Sequence, residues 1–150
     1  MVKRIITKEL EITAGEYPVI TIIGPRQSGK TTLAKMSFPE YDYANLENPE
    51  LRTLAINDPK SFLKRYSPPV IIDEIQNVPE LLSWIQVITD KHPEKKAQFI
   101  LTGSHQLKLR ESVTQSLAGR TALLMLFPFS LNELTSDYLK NDRSELLLNG

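Results

Sequence analysis

Residues Ile20–Thr32 read ITIIGPRQSGKTT, and the fold turns on this stretch. A β-branched run, Val19–Ile23, leads into Gly24, and four positions separate Gly24 from Gly29, Lys30 and Thr31. This is the G-x-x-x-x-G-K-[ST] spacing of the Walker A loop. Each residue type has a physical reason. Backbone N–H groups must curl around anionic oxygens, and glycine allows the necessary φ angles without a side chain in the way. The helix that follows turns its positive end and unpaired N–H groups toward the same anion. Lys30 adds a point charge between β- and γ-phosphates, and Thr31 offers a hydroxyl to Mg²⁺, an ion that takes few protein ligands. Average residue usage gives this pattern in about 1 chain in 200 of this length by chance. A strand before it and the helix-forming TTLAKM after it sharpen the reading. The expected nucleotide-binding set is Gly24, Pro25, Arg26, Gln27, Ser28, Gly29, Lys30, Thr31 and Thr32. Arg26 and Gln27 act through their backbones, with side chains free to point outward.

A second apolar run, VIID over Val70–Asp73, ends on the acidic pair Asp73 and Glu74. Ligands gather at the carboxyl ends of strands in open parallel sheets. Asp73 is therefore placed to hold the Mg²⁺ shell beside Thr31, as a Walker B aspartate does. Glu74 is placed to orient or deprotonate a water attacking the γ-phosphate, with Gln76 as a further group in reach of that water. A third strand end, FILTGSH, offers Thr102 and Ser104 to the γ-phosphate. Ser104 lies further along and is the better placed of the two to clear the strand. Arg120, in SLAGR, follows a helix-stop glycine. It serves either as a finger across a subunit boundary or as a surface cation favouring a helix end.

Composition bounds the rest. A chain of 150 residues suffices for one domain with a real core. It has no cysteine, which excludes disulfide scaffolds, thiol catalysis and Cys-ligated zinc, and fits a cytoplasmic setting. Formal net charge is zero, unlike a domain built to neutralise a nucleic-acid backbone. No secretory signal is visible, and the longest apolar stretch, ALLMLFPF over Ala122–Phe129, is too short to span a bilayer, so no membrane partner is expected. His92 and His105 lack neighbours at metal-ligand spacing. Trp84 reads as a core-facing helix residue, and the tyrosines of YDYANLE as strand packing.

Short apolar runs alternate with longer amphipathic segments, as in α/β layering. Strands are predicted at Val19–Ile23, Tyr41–Leu46, Val70–Asp73, Gln98–Thr102 and Leu123–Phe127. Helices are predicted at Gly29–Met36, Pro49–Arg65, Pro79–Lys91 and Leu107–Leu117. Asn48-Pro49 and Asp58-Pro59 each set a capping side chain before a proline, and the second of these splits the long helical stretch. Ser130 and Glu133 have capping-box spacing, which predicts a further helix. No role is assigned to the N-terminal KRIITKELEITAGEY from its pattern.

Taken together, GPRQSGKTT, VIIDEIQ, FILTGS, SLAGR and FPFSLNEL, in this order, resemble the prokaryotic ATP-binding proteins of the AAA+ superfamily, in which an AAA-type core precedes a C-terminal domain of unknown function. The resemblance covers almost the whole chain. It implies an αβα P-loop NTPase sandwich with five parallel strands in the order 5-1-4-3-2, with ATP (or ADP) and Mg²⁺ as ligands. It assigns Lys30 to phosphate, Thr31 and Asp73 to metal, Glu74 to water activation, Ser104 or Thr102 to sensing, and Arg120 to a finger supplied in trans within a homo-oligomer. It also places the N-terminal segment near the adenine. Members of that family are normally more than twice this length. The expectation is therefore a core over residues 1–150 without the helical lid and second sensor, and without the C-terminal domain and its protein or DNA partner.

Two functions stand side by side: an ATPase that hydrolyses Mg·ATP through Glu74, and a nucleotide-gated binding module with little intrinsic turnover. A small-molecule kinase would need an acceptor pocket and an arginine-bearing lid, and neither is evident. A GTPase would need a glycine three residues after Asp73 and an N-K-x-D segment, and the sequence has neither.

Overall fold

The computed structural model describes residues 2–25, 28–104 and 106–126. Arg26, Gln27, His105 and the capping box at Ser130 and Glu133 lie outside the described residues. Helix α1 (Val2–Ala14) leads into strand β1 (Val19–Ile23), then α2 (Lys30–Ser37), β2 (Asp42–Asn45), α3 (Pro49–Asn57), α4 (Pro59–Arg65) and β3 (Val70–Asp73). A single 3₁₀ turn (Ile75–Asn77) precedes α5 (Leu81–Lys91), and β4 (Phe99–Gly103), α6 (Leu107–Ser116) and β5 (Thr121–Met125) complete the described chain.

The five strands are all parallel and run β2-β3-β4-β1-β5, which read from the other edge is 5-1-4-3-2. β1, β3 and β4 are buried along their whole length, so both faces need cover. One face packs Ile20, Ile22, Ile71, Ile100 and Leu124 against Leu10 of α1 and Leu33 and Ala34 of α2. The other packs Val19, Val70, Ile72, Phe99 and Leu101 against Phe62, Leu82, Ile85, Leu109 and Val113 from α4, α5 and α6. Each fully buried side chain of this size contributes about 1.5–3 kcal/mol from burial, so the three layers are held mainly by this alternation of faces.

Local chemistry sets the boundaries. Asn48 Oδ1 accepts from Glu50 N–H at 2.9 Å and caps α3, with Pro49 in the first turn. Asp58 accepts from Ser61 N–H and starts α4, so the stretch at 49–65 is two helices, as its Asp-Pro step predicts. The Ser61 hydroxyl and amide also hold the Asp58 carboxyl below the usual carboxylate range.

Several expected boundaries shift by one or two residues. β5 begins at Thr121 and ends at Met125, two residues earlier than the apolar run alone indicates, because its pairing with β1 sets Val19 opposite Thr121. β4 is displaced by one residue, covering Phe99–Gly103 in place of the expected 98–102. α5 starts at Leu81, two residues after Pro79. Residues 2–14, for which no element is predicted, form a helix. Trp84 is only partly buried, packed on the core with the Lys60 ammonium 5.7 Å above its ring.

Candidate active site

The carboxyl ends of β1, β3 and β4 meet at one edge of the sheet. β1 hands the chain to the loop at Gly24, whose N–H donates to Gly103 O at 3.2 Å. Gly24 is required by packing: a Cβ here would sit 2.4 Å from Leu126 O and 2.9 Å from Ser28 Oγ. Gly29 has φ 89° and ψ 15°, a left-handed conformation that turns the loop into α2. Lys30 opens that helix and is buried, its ammonium donating to Gly24 O and Pro25 O at 3.0 Å each. A cleft of about 320 Å³ lies over this corner, lined by Ser28, Gly29, Lys30, Thr31, Thr32, Glu47 and Glu74.

Asp73 is buried at the end of β3 and collects three hydroxyl donors. Thr31 Oγ1 donates to Oδ2 at 2.8 Å, Tyr43 Oη also donates to Oδ2, and Thr102 Oγ1 donates to Oδ1. The sequence-predicted pair Thr31 and Asp73 is therefore in direct contact across 42 residues. Burial, the bond to Asp73 and the surrounding carboxylates all push the Tyr43 phenol above its ordinary range. Tyr43 was expected to pack a strand; it does so and also reaches the acidic centre.

Glu74 follows in a left-handed conformation, φ 59° and ψ 53°, unusual for a residue with a side chain. Such strain costs about 1–3 kcal/mol and persists where the surroundings impose it. Two bonds do so here. Glu74 N–H donates to Thr102 Oγ1 at 3.1 Å, and Gln76 Nε2 donates to Glu74 Oε1 at 2.7 Å. Gln76 Oε1 in turn accepts from Ser104 N–H at 3.3 Å, tying the glutamate to the tip of β4. Among the described residues, the buried hydroxyls of Ser28 and Ser104 have no hydrogen-bond partner.

Arg120 lies elsewhere. Its carbonyl accepts from Val19 N–H at the start of β1, so it sits at the amino edge of the sheet. The length of β1 separates it from the loop, about 16 Å at the usual rise per residue. Its guanidinium forks onto Asp90, Nε–Oδ1 at 2.6 Å and Nη2–Oδ2 at 3.1 Å. That pairing holds the Asp90 carboxyl below its usual range and raises the guanidinium. Arg120 is therefore not brought to this chain's own cleft.

The donor set fits a hard divalent cation. Thr31 and Asp73 present a hydroxyl and a carboxylate side by side, and Mg²⁺ uses one or two such protein oxygens with the rest from water and phosphate. Among the described residues no group of three or more His, Cys, Asp or Glu side chains gathers as a metal-binding set. No helix among them is long and apolar enough to cross a membrane.

The family model described as AAA domain matches residues 16–135. The chain belongs to this family. The AAA domain here is 36% identical over 122 residues to the uncharacterized proteins Rv2008c of Mycobacterium tuberculosis and Mb2031c of Mycobacterium bovis. The matched segment covers 79% of this chain but 27% of each relative, so the chain spans only about a quarter of their length. Solved structures agree in fold. The Walker-type ATPase PABY2304 of Pyrococcus abyssi superposes with TM-score 0.56 at 20% identity, covering 95% of this chain and 57% of that one. The AMPPCP-bound DnaA of Aquifex aeolicus gives 0.52 at 18%, over 95% and 53%. This AAA domain thus carries an ATPase-like α/β fold.

Three residues of the site escape the sequence reading as site residues: Tyr43, Glu47 and, in its role as a bridge, Gln76. Tyr43 lies within β2 and Glu47 in the turn that follows it, and only the strand order, which seats β2 beside β3, could have signalled them.

Proposed function

We propose that this AAA domain binds Mg·ATP in the cleft over Gly24–Thr32 and hydrolyses it slowly. The observation that carries the reading is the meeting of Lys30, Thr31, Asp73 and Glu74 at one corner, where the loop between Gly24 and Gly29 and the start of α2 lie beside two carboxylates. Loop amides and the start of α2 receive the phosphates, and Lys30 exchanges its carbonyl partners for β- and γ-oxygens. Thr31 and Asp73 would hold Mg²⁺, which neutralises charge on the phosphate oxygens when bound. Glu74 takes a proton from water as the water oxygen bonds to the γ-phosphorus and the bond to the ADP oxygen breaks. Ser104, with its unpartnered hydroxyl at the tip of β4, senses the γ-phosphate. Arg120 acts only in trans, in a homo-oligomer, and has to leave Asp90 to do so. The domain extent, residues 1–150, and a C-terminal partner domain with its own protein or DNA target belong to the same proposal, as does a cytoplasmic setting.

One observation favours the second reading, a nucleotide-gated module with little turnover. Gln76 holds the Glu74 carboxylate and the β4 tip together, so a contact at Ser104 bears on the glutamate. Orthophosphate release by the purified chain decides between the two. Slow release that requires Mg²⁺ is expected; ATP bound without release supports the gated module, and no binding at all removes both.

A further inference from the structure

Asp73 has about four acceptor sites on two oxygens, and three hydroxyls occupy most of them. These donors are not equivalent. Thr31 is itself an expected cation ligand, so its bond to Oδ2 is one that a bound cation would displace. Thr102 lies on β4 and keeps Oδ1. Tyr43 is the hydroxyl that would then remain on Oδ2. Its ring is fixed independently: it packs on the core beneath α2, and the Lys35 ammonium sits 3.9 Å from the ring centroid. Thr31 and Lys35 are four residues apart on one face of α2. That helix therefore reaches the Asp73 carboxylate twice, once directly and once through the Lys35–Tyr43 stack.

We propose that Tyr43 is a positioning residue that holds the Asp73 carboxylate in the orientation that serves the divalent cation accompanying the nucleotide, with Lys35 bracing its ring. This rests on the proposed function. A purely structural tyrosine is available for contrast on the same strand region: Tyr41 Oη donates to Ala97 O at 2.7 Å, away from Asp73, and its phenol is likewise pushed up by burial.

The test is binding of a fluorescent ATP analogue, first in EDTA and then titrated with Mg²⁺. Tyr43→Phe should bind like the parent chain in EDTA, while the Mg²⁺ needed for half of the affinity gain rises about tenfold, as loss of an outer partner of a metal ligand does. Tyr41→Phe should lose thermal stability and leave the Mg²⁺ requirement unchanged. Lys35→Met changes an exposed side chain and does not depend on how Tyr43→Phe folds; it should raise the requirement about threefold, the worth of an exposed cation–π contact. An unchanged Mg²⁺ requirement in Tyr43→Phe, or in Lys35→Met if the first variant does not fold, overturns the inference while leaving nucleotide binding intact. A parent chain that gains nothing from Mg²⁺ overturns the proposed function, and this inference with it.

Discussion

Lys30→Ala should lose ATP binding by about thirtyfold or more while the chain stays folded. Truncating one partner of a buried, hydrogen-bonded charge pair costs about 2–5 kcal/mol, and each 1.4 kcal/mol is a factor of ten in affinity. The Lys30 ammonium is buried at the floor of the cleft, within bonding distance of two loop carbonyls. Removing it withdraws the cation from the phosphates and leaves those carbonyls facing them. Calorimetric titration of the parent and the variant, with a thermal melt to check folding, measures the effect. An affinity within threefold of the parent would mean that the loop does not receive phosphate.

Glu74→Gln should separate binding from chemistry. Gln at 74 keeps the size, tolerates the same backbone, and presents an amide oxygen that still accepts from Gln76 Nε2. What it loses is basicity. General-base catalysis contributes about 10²–10⁴-fold, so orthophosphate release should fall by about that factor with ATP affinity unchanged. Equal turnover in both proteins would remove Glu74 from the mechanism. Reduced affinity with unchanged turnover would instead assign the residue to the cleft wall.

Much of this architecture was legible because its signals are local. Val19–Ile23 and Val70–Asp73 are short apolar runs bounded by loops, and both strands fall where those runs lie. The Asp58-Pro59 step ended one helix and began another within a single residue. β5 was displaced because ALLMLFPF is apolar throughout, and composition cannot say where pairing starts; opposition to Val19 does. α1 gives little periodic signal in its described second half. Leu10 and Thr13 are buried while Ile12 between them is 57% exposed, a pattern that an irregular polar segment also gives.

The site divides along the same line. Gly24, Lys30, Thr31, Asp73 and Glu74 stand in contiguous motifs, and the fold brings them to one corner. Tyr43 belongs to no motif. It meets Asp73 across 30 residues only because β2 lies next to β3, and a tyrosine in a strand ordinarily signals packing. The left-handed backbone of Glu74 is likewise invisible in the string VIIDEIQ, since Thr102, which holds its amide, comes from outside that segment. Arg120 shows the reverse case: a residue with a suggestive neighbourhood in sequence, placed at the far edge of the sheet on Asp90.

The central claim is that the backbone amides between β1 and α2 form the cup for a triphosphate. Amide chemical shifts of the ¹⁵N-labelled chain, followed as ATP and Mg²⁺ are added, test it most directly. The account predicts that the largest changes fall on Gly24, Ser28, Gly29, Lys30, Thr31 and Thr32, with a second set at Asp73 and Glu74. Saturable changes confined to other residues, or none at all at millimolar ATP, would contradict it.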